Sequence, residues 1–234
     1  MELRDYKTEE DGIAFNFWPA FADLMLSLVL ILILILFLFF AFIVAGNINI
    51  AHIKKNQMEL IDELGIKYGV IPENVDNNEF RISTNILIRN EPQLQMLGFS
   101  DNILFRPDQY ILSDKGRSTL NVVGEIIKKK IFLIREIQIQ GHADTDISSR
   151  YPSNIDLASM RAIEVFKFLK NQVGINPSEH LMSATSFGEY KPVNRSDSDL
   201  TYNQQKLNLD NSTKILKDKN RRIELLLFYS VLHK

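Results

Sequence analysis

Hydrophobic positions along this chain fall into three kinds of run. The first is unbroken: "FWPAFADLMLSLVLILILILFLFF" begins at residue 17, and from Leu24 to Ala45 the only polar side chain is Ser27. A helix of that length rises about 33 Å, enough to cross the hydrocarbon layer of a bilayer. One membrane span is expected over residues 17–46, starting at Pro19, whose missing N–H costs nothing in the first helical position. Phe15, Phe17, Trp18 and Phe21 suit an interfacial belt. The apolar run is too long for the core of a signal peptide, and the first residues are acidic, so it reads as an uncleaved anchor.

The second kind of run has helical period. Ile50, Ile53, Leu60 and Leu64 fall at three- and four-residue steps with Gln57 at the missing position, so a helix continues outward, either as a short paired stalk or as an ordinary amphipathic surface helix. Ser113 caps a predicted helix with Leu120, Val123 and Ile127 inward, and a later one turns Ala158, Ala162, Val165 and Leu169 inward. The third kind alternates. "FRISTNILI" (80–88) reads as one strand, "NEP" (90–92) as a turn and "LQMLGFSDNILF" (94–105) as a second strand; further strands are predicted around Ile137 and Ile139, in "HLMSATSFGE" (180–189) and in "RRIELLLFYSV" (221–231). The turn-rich "GVIPENVDNNE" (69–79) reads as a linker and the polar stretch Asn194–Lys219 as a loop. The fold class expected is α+β, a mixed α/β sandwich of helices on a sheet, with a tail over 1–16, the membrane helix over 17–46, a stalk and linker over 47–79 and the soluble domain over 80–234.

Composition narrows the chemistry. At 45% hydrophobic and 24% charged, with net charge -2, the chain of 234 residues has the profile neither of a disordered protein nor of a basic nucleic-acid binder. It has no cysteine, which removes disulfides, thiolate zinc sites and cysteine nucleophiles together, and His52, His142, His180 and His233 are too scattered to suggest a metal cluster. No metal and no cofactor are expected. Arg4 and Lys7 before the span roughly balance His52, Lys54 and Lys55 after it, so charge counting does not orient the helix.

Two constellations remain. Asp23 lies a full turn inside the predicted helix, where it cannot serve as a cap; it is either solvated at headgroup depth near the positive helix end or marks an ion path or charged partner. Ser27, one turn on, either extends that polar stripe or bonds back to the Asp23 carbonyl. In the soluble part, Asn154, Leu157 and Arg161 share a helical face distinct from the Ala158/Ala162/Val165 stripe, and this face is expected to be exposed. Asp144 follows a strand end, and an acid beside a helix-borne guanidinium is either a two-charge clamp for a zwitterionic amino-acid head group or a structural salt bridge. His142 has no evident nucleophile or metal partner and reads as a structural side chain, so no enzyme is expected. Arg221 and Arg222 are candidates for a carboxylate or sugar contact, or for a surface charge flanking the last strand.

The stretch Trp18-Pro19-Ala20-Phe21-Ala22-Asp23-Leu24-Met25 resembles the MotB-type subunit of ion-driven rotary motors, whose single membrane helix carries one ion-accepting Asp. Four further pieces resemble the OmpA-like peptidoglycan-binding domain: "ILF" with "LSDKGRSTL" (103–120), "IQGHADTD" (139–146), "NIDLASMRA" (154–162), and "FGEYKP" followed by "NRRIE" (187–192, 220–224). This resemblance covers about residues 95–230, departing from the pattern in a long segment between Asp146 and Asn154 and in the polar loop before Asn220. It implies that Asp144 takes the ammonium and Arg161 the carboxylate of diaminopimelate in a peptidoglycan stem peptide, with Asn154 and Leu157 lining the pocket. The same resemblance orients the chain in the bacterial inner membrane, Met1–Asn16 cytoplasmic and the residues from Asn47 onward periplasmic. Asp23, with Ser27 beside it, then carries a transported proton or sodium ion. Because one span cannot form a channel, the family implies a homodimer of this chain inside a pentamer of MotA-like multi-span subunits. The short acidic tail and the Leu/Ile-rich helix look closest to the B subunit of the Zorya anti-phage defence motor, which would act on cytoplasmic effectors; a flagellar stator subunit and a passive wall tether are the alternatives.

Overall fold

The computed structural model describes residues 17–230 apart from Asp197. The expected tail, Phe15, Arg4, Lys7 and His233 lie outside the described residues. The chain divides into two compact units, Met1–Ile48 and Asn49–Lys234.

In the first unit the described residues are all helical, the opening part of α1 (Phe17–Tyr68). Every residue from Phe17 to Val44 is exposed, an apolar surface far larger than water tolerates, and by length and composition the helix can cross a membrane. Phe17 and Trp18 are already helical, so Pro19 sits within the first turn rather than at its first position. Phe21 packs on Phe17 at 5.5 Å and edge-on to Trp18 at 6.2 Å between ring centroids, giving the aromatic cluster expected at an interface. The Ser27 hydroxyl does bond back along the helix, to the carbonyl of Leu24 at 2.9 Å rather than to that of Asp23.

The second unit is a seven-stranded sheet with helices packed on it, in the order β1-β2-β3-β4-β7-β5-β6. The strands are β1 (Glu73–Asp76), β2 (Glu79–Ser83), β3 (Ile86–Asn90), β4 (Leu94–Ser100), β5 (Ile134–His142), β6 (Leu181–Gly188) and β7 (Arg222–Tyr229). All pairs are antiparallel except β5 with β6, which needs a crossover, supplied by α4 (Asn154–Phe168). The other helices are α2 (Asp101–Leu104), α3 (Asp114–Lys129), α5 (Gln204–Leu209) and α6 (Lys214–Asn220). Ser113 caps α3 as expected, accepting from the Gly116 N–H at 3.0 Å.

One hydrophobic core joins sheet and helices: Ile86, Ile88, Leu97, Phe99, Ile137, Ile139, Leu225 and Leu227 meet Leu120, Val123, Ile127, Ala162, Val165 and Leu169. The later part of α1 belongs to it too. Ile53, Leu60, Ile61 and Leu64 are buried, while Ile50 stays exposed, so the apolar face open to two alternatives, paired stalk or amphipathic surface helix, is spent within the chain's own domain. Gln57 sits at the odd position because its amide donates to the carbonyls of Glu91 (2.9 Å) and Leu94 (3.3 Å), and Gln95 donates to the Gln57 carbonyl (3.0 Å). Lys130 adds ion pairs to Glu59 (2.9 Å) and Glu63 (3.4 Å).

Four local expectations are corrected. "FRISTNILI" is a hairpin, β2 and β3 joined at Thr84-Asn85, because a two-residue turn keeps Ile82, Ile86 and Ile88 on the same parity and so leaves the alternation intact. The predicted strand 94–105 stops at Ser100, and "DNIL" forms α2. The linker contains β1, which pairs with β2 at the sheet edge. The polar loop 194–219 holds α5 and most of α6, capped by Asn203 and Thr213.

Candidate functional site

Strand β5 delivers the first group. Gly141 lets α4 approach this strand closely, since a Cβ there would lie 2.1 Å from the carbonyl oxygen of Ala158. Two residues past the end of β5, Asp144 therefore faces the first turns of α4. Ser153 caps that helix, accepting from the Asp156 N–H at 3.2 Å. Asn154 then staples the loop to the helix: its Nδ2 donates to the Asp144 carbonyl (3.0 Å) and its Oδ1 accepts from the Ser148 N–H (3.3 Å).

Asp144, Asn154, Leu157, Arg161 and Arg221 all line one cleft of about 490 Å³, with Asp101, Phe105, Asp108, Asp146 and Asp218 among its other walls. The face carrying Asn154, Leu157 and Arg161 is not exposed as expected; all three are buried, Arg161 to 3% exposure, because α2 and the segment that follows it fold over α4. Arg161 is fixed on three sides: Nη1 lies 3.0 Å from Asp101 Oδ1, Nε donates to the Gln109 carbonyl at 2.8 Å, and the guanidinium sits 5.2 Å over the Phe105 ring. Asp144 pairs with Arg221, which also bonds Asp218. The two groups of the expected clamp are thus both present in the cleft, each held by a partner other than the one the sequence suggested.

Arg222 departs from the expectation. It bonds Glu224 at 2.6 Å and lines a separate cavity of about 590 Å³ with Gln140 and Lys191, because successive strand residues point to opposite faces. His142 lies on that side, buried and stacked on Phe187 at 5.5 Å. Its Nε2 is 3.2 Å from Glu224 Oε2, in a geometry short of a true hydrogen bond; burial pushes the imidazole pKa down, against the pull of Glu224.

The electrostatics follow from crowding. Five carboxylates (Asp101, Asp108, Asp144, Asp146, Asp218) and two guanidiniums line the cleft, with Lys217 2.5 Å from Asp146 and Arg150 3.9 Å from Asp108 adding positive charge. Burial pushes the Asp101 carboxyl up to about 6, opposed by Arg161 and Arg221. The Asp144 carboxyl is also raised by burial, opposed by Arg221, and burial lowers the Arg161 pKa against the pull of Asp101. The long segment after Asp146 has a use: Ser148 and Ser149 donate to Asp108 at 2.5 and 3.0 Å, closing one wall. Asp101 and Asp218 are not expected at the site from sequence, because the patterns of their segments read as a strand and a loop. The "SDN" at residues 100–102, a helix-start pattern, was the available signal for Asp101.

Residues 104–206 match the OmpA family. The second unit is an OmpA-like domain. Its fold agrees with that of solved MotB structures. A MotB-like protein from Desulfovibrio vulgaris superposes with TM-score 0.58 at 18% identity, over 77% of this chain and 99% of that one. The periplasmic domain of Helicobacter pylori MotB gives TM-score 0.52 at 23% identity, over 66% of this chain and 89% of that one. No curated protein matches the chain. The family match starts at Leu104, so the later part of α1 and strands β1 to β4 of the OmpA-like domain lie before it.

Proposed function

We propose that the chain is a peptidoglycan-anchored, stator-type subunit of an inner-membrane ion-driven motor, single-pass with its OmpA-like domain in the periplasm. The observation that carries the wall-binding half is the cleft in which Asp144 and Arg161 stand as opposite charges, each held by an internal partner that a ligand can replace. A ligand ammonium can take over Asp144 from Arg221 and a ligand carboxylate can take over Arg161 from Asp101, so the ligand class is a zwitterionic amino-acid head group such as diaminopimelate. Asn154 and Leu157 shape the pocket, and Arg221 orients Asp144. The role is binding rather than catalysis.

Asp23 supports the motor half. It is a lone carboxylate within an otherwise apolar membrane helix, where ionisable groups are costly and serve ion paths. A cation passing down the membrane potential releases about 2.3 kcal/mol per charge per 100 mV. A multi-span partner of MotA type must supply the rest of the path, around a dimer of this chain. The acidic tail and Leu/Ile-rich span favour a defence motor of the Zorya kind over a flagellar one.

The test of wall binding is Asp144→Asn in the full chain in detergent, pulled down with purified peptidoglycan sacculi. Losing a charge-assisted contact costs about 1.5–3 kcal/mol, roughly a 10- to 150-fold weaker association. Undiminished binding by the folded variant would overturn the assignment.

A further inference from the structure

Arg161 reaches the cleft already neutralised. Asp101 Oδ1 lies 3.0 Å from its Nη1, and the Asp101 backbone N–H donates to the Arg221 carbonyl at 2.9 Å, so this carboxylate is held by the segments that build both halves of the clamp. Asp101 also lines the cleft itself. A ligand carboxylate can reach Arg161 only by sharing or replacing that contact. We propose that Asp101 is a built-in competitor for the ligand's carboxylate, occupying Arg161 when the cleft is empty and surrendering it, with uptake of a proton, when the ligand binds. The proposal rests on the wall-binding reading above.

The exchange balances in charge and protons. The Asp101 carboxylate on Arg161, a ligand carboxylate and one solvent proton become a neutral Asp101 carboxyl and a ligand carboxylate on Arg161. Protonation is within reach because burial holds Asp101 near 6 even with Arg161 beside it. The charged groups facing Asp101 are Arg161 from α4, Arg221 from the segment before β7 and Asp144 after β5; the arginines favour its ionised form and Asp144 opposes it. Once a ligand carboxylate neutralises Arg161, the main support for ionised Asp101 is gone and its proton affinity rises. By linkage, a group that gains protons on binding makes binding stronger at lower pH.

The experiment uses the full chain in detergent and the stem tripeptide L-alanyl-γ-D-glutamyl-meso-diaminopimelate, titrated by calorimetry at pH 5.5, 6.5 and 7.5 in buffers of different ionisation heat. The wild type should bind about tenfold tighter at pH 5.5 than at 7.5 and take up a proton at pH 6.5. Asp101→Asn keeps an oxygen for Arg161 but removes the charge. It should bind several-fold tighter than wild type at pH 7.5, with a profile that is flat or falls toward acid, since protonating Asp144 weakens the ammonium contact. Wild-type binding without proton uptake, or an Asp101→Asn profile identical to wild type, overturns the competitor role and leaves the wall-binding reading intact. The uptake measurement needs no variant, so it decides even if Asp101→Asn does not fold. Failure of the wild type to bind the tripeptide at every pH overturns both.

Discussion

Replacing Arg161 with alanine should destabilise the OmpA-like domain, and by an amount that grows with pH. The side chains of Arg161 and Asp101 are 4% and 13% exposed, so solvent does not screen their pair. Removing one partner of a buried pair costs about 3–5 kcal/mol. The bond to the Gln109 carbonyl and the stack on Phe105 are lost as well. Protonation of Asp101 limits the charge part of that cost. In the wild type its folded pKa is raised from 3.8 to about 6 by burial, so its contribution to stability is fully present below the unfolded value and is lost as pH rises through about 6. Without Arg161 the folded pKa climbs further and the loss continues beyond pH 6. At pH 5.5, where the wild-type carboxyl is already largely neutral, the deficit of Arg161→Ala should be about 1–2 kcal/mol smaller than at pH 8. Denaturant unfolding of the full chain in detergent, followed by circular dichroism with the apolar opening part of α1 as a constant background, measures both gaps. Equal deficits at the two pH values, or a smaller one at pH 8, would refute the pair as the source.

Two further outcomes are expected. Gly141→Ala sets a Cβ against the Ala158 carbonyl, forcing α4 outward by about 1 Å; overpacking of this kind costs about 1–3 kcal/mol, and it carries Asn154 and Arg161 away from Asp144. Thermal melts and sacculus pull-downs should therefore fall together, and wild-type values in both would contradict the close-approach argument. Asp23→Asn keeps the side-chain shape and removes its charge, so co-purification with a multi-span partner should persist while motor-dependent activity, phage protection on the defence reading, disappears; full protection would retire Asp23 as ion carrier.

What the sequence made legible was whatever repeats with a single period against a single surface. The inward stripes of α3 and α4 are of that kind. Alternation does not register a two-residue turn, which is why β2 and β3 read as one strand. Nor does helical period name the surface that covers it: Ile53, Leu60 and Leu64 would look the same facing a second copy as facing β3 and β4. Gln57 was the residue that distinguished the cases, since a polar side chain inside an apolar stripe calls for buried carbonyls, and Glu91 and Leu94 provide them. For the site, Asp144, Asn154, Leu157 and Arg161 could be found because two adjoining elements carry them. Asp101 and Asp218 come from segments distant in sequence, and only the packing of α2 and α6 against the cleft brings them in.

On the wall-binding reading, the pairing seen in the cleft bears on selectivity. Because Arg161 already has Asp101 and Asp144 already has Arg221, a ligand gains only the difference between its own contacts and those it displaces. A simple carboxylate must compete with Asp101 and offers nothing to Asp144. A simple amine meets an Asp144 already neutralised. A zwitterion with its two charges set at the spacing of Asp144 and Arg161 makes both exchanges at once, and the freed Arg221 keeps Asp218 as a partner. Discrimination thus comes from the cost of breaking internal pairs, which a mismatched ligand incurs without compensation. On the wall-binding reading, such a cleft stays closed to the abundant single-charge solutes of the periplasm and responds to the stem peptide.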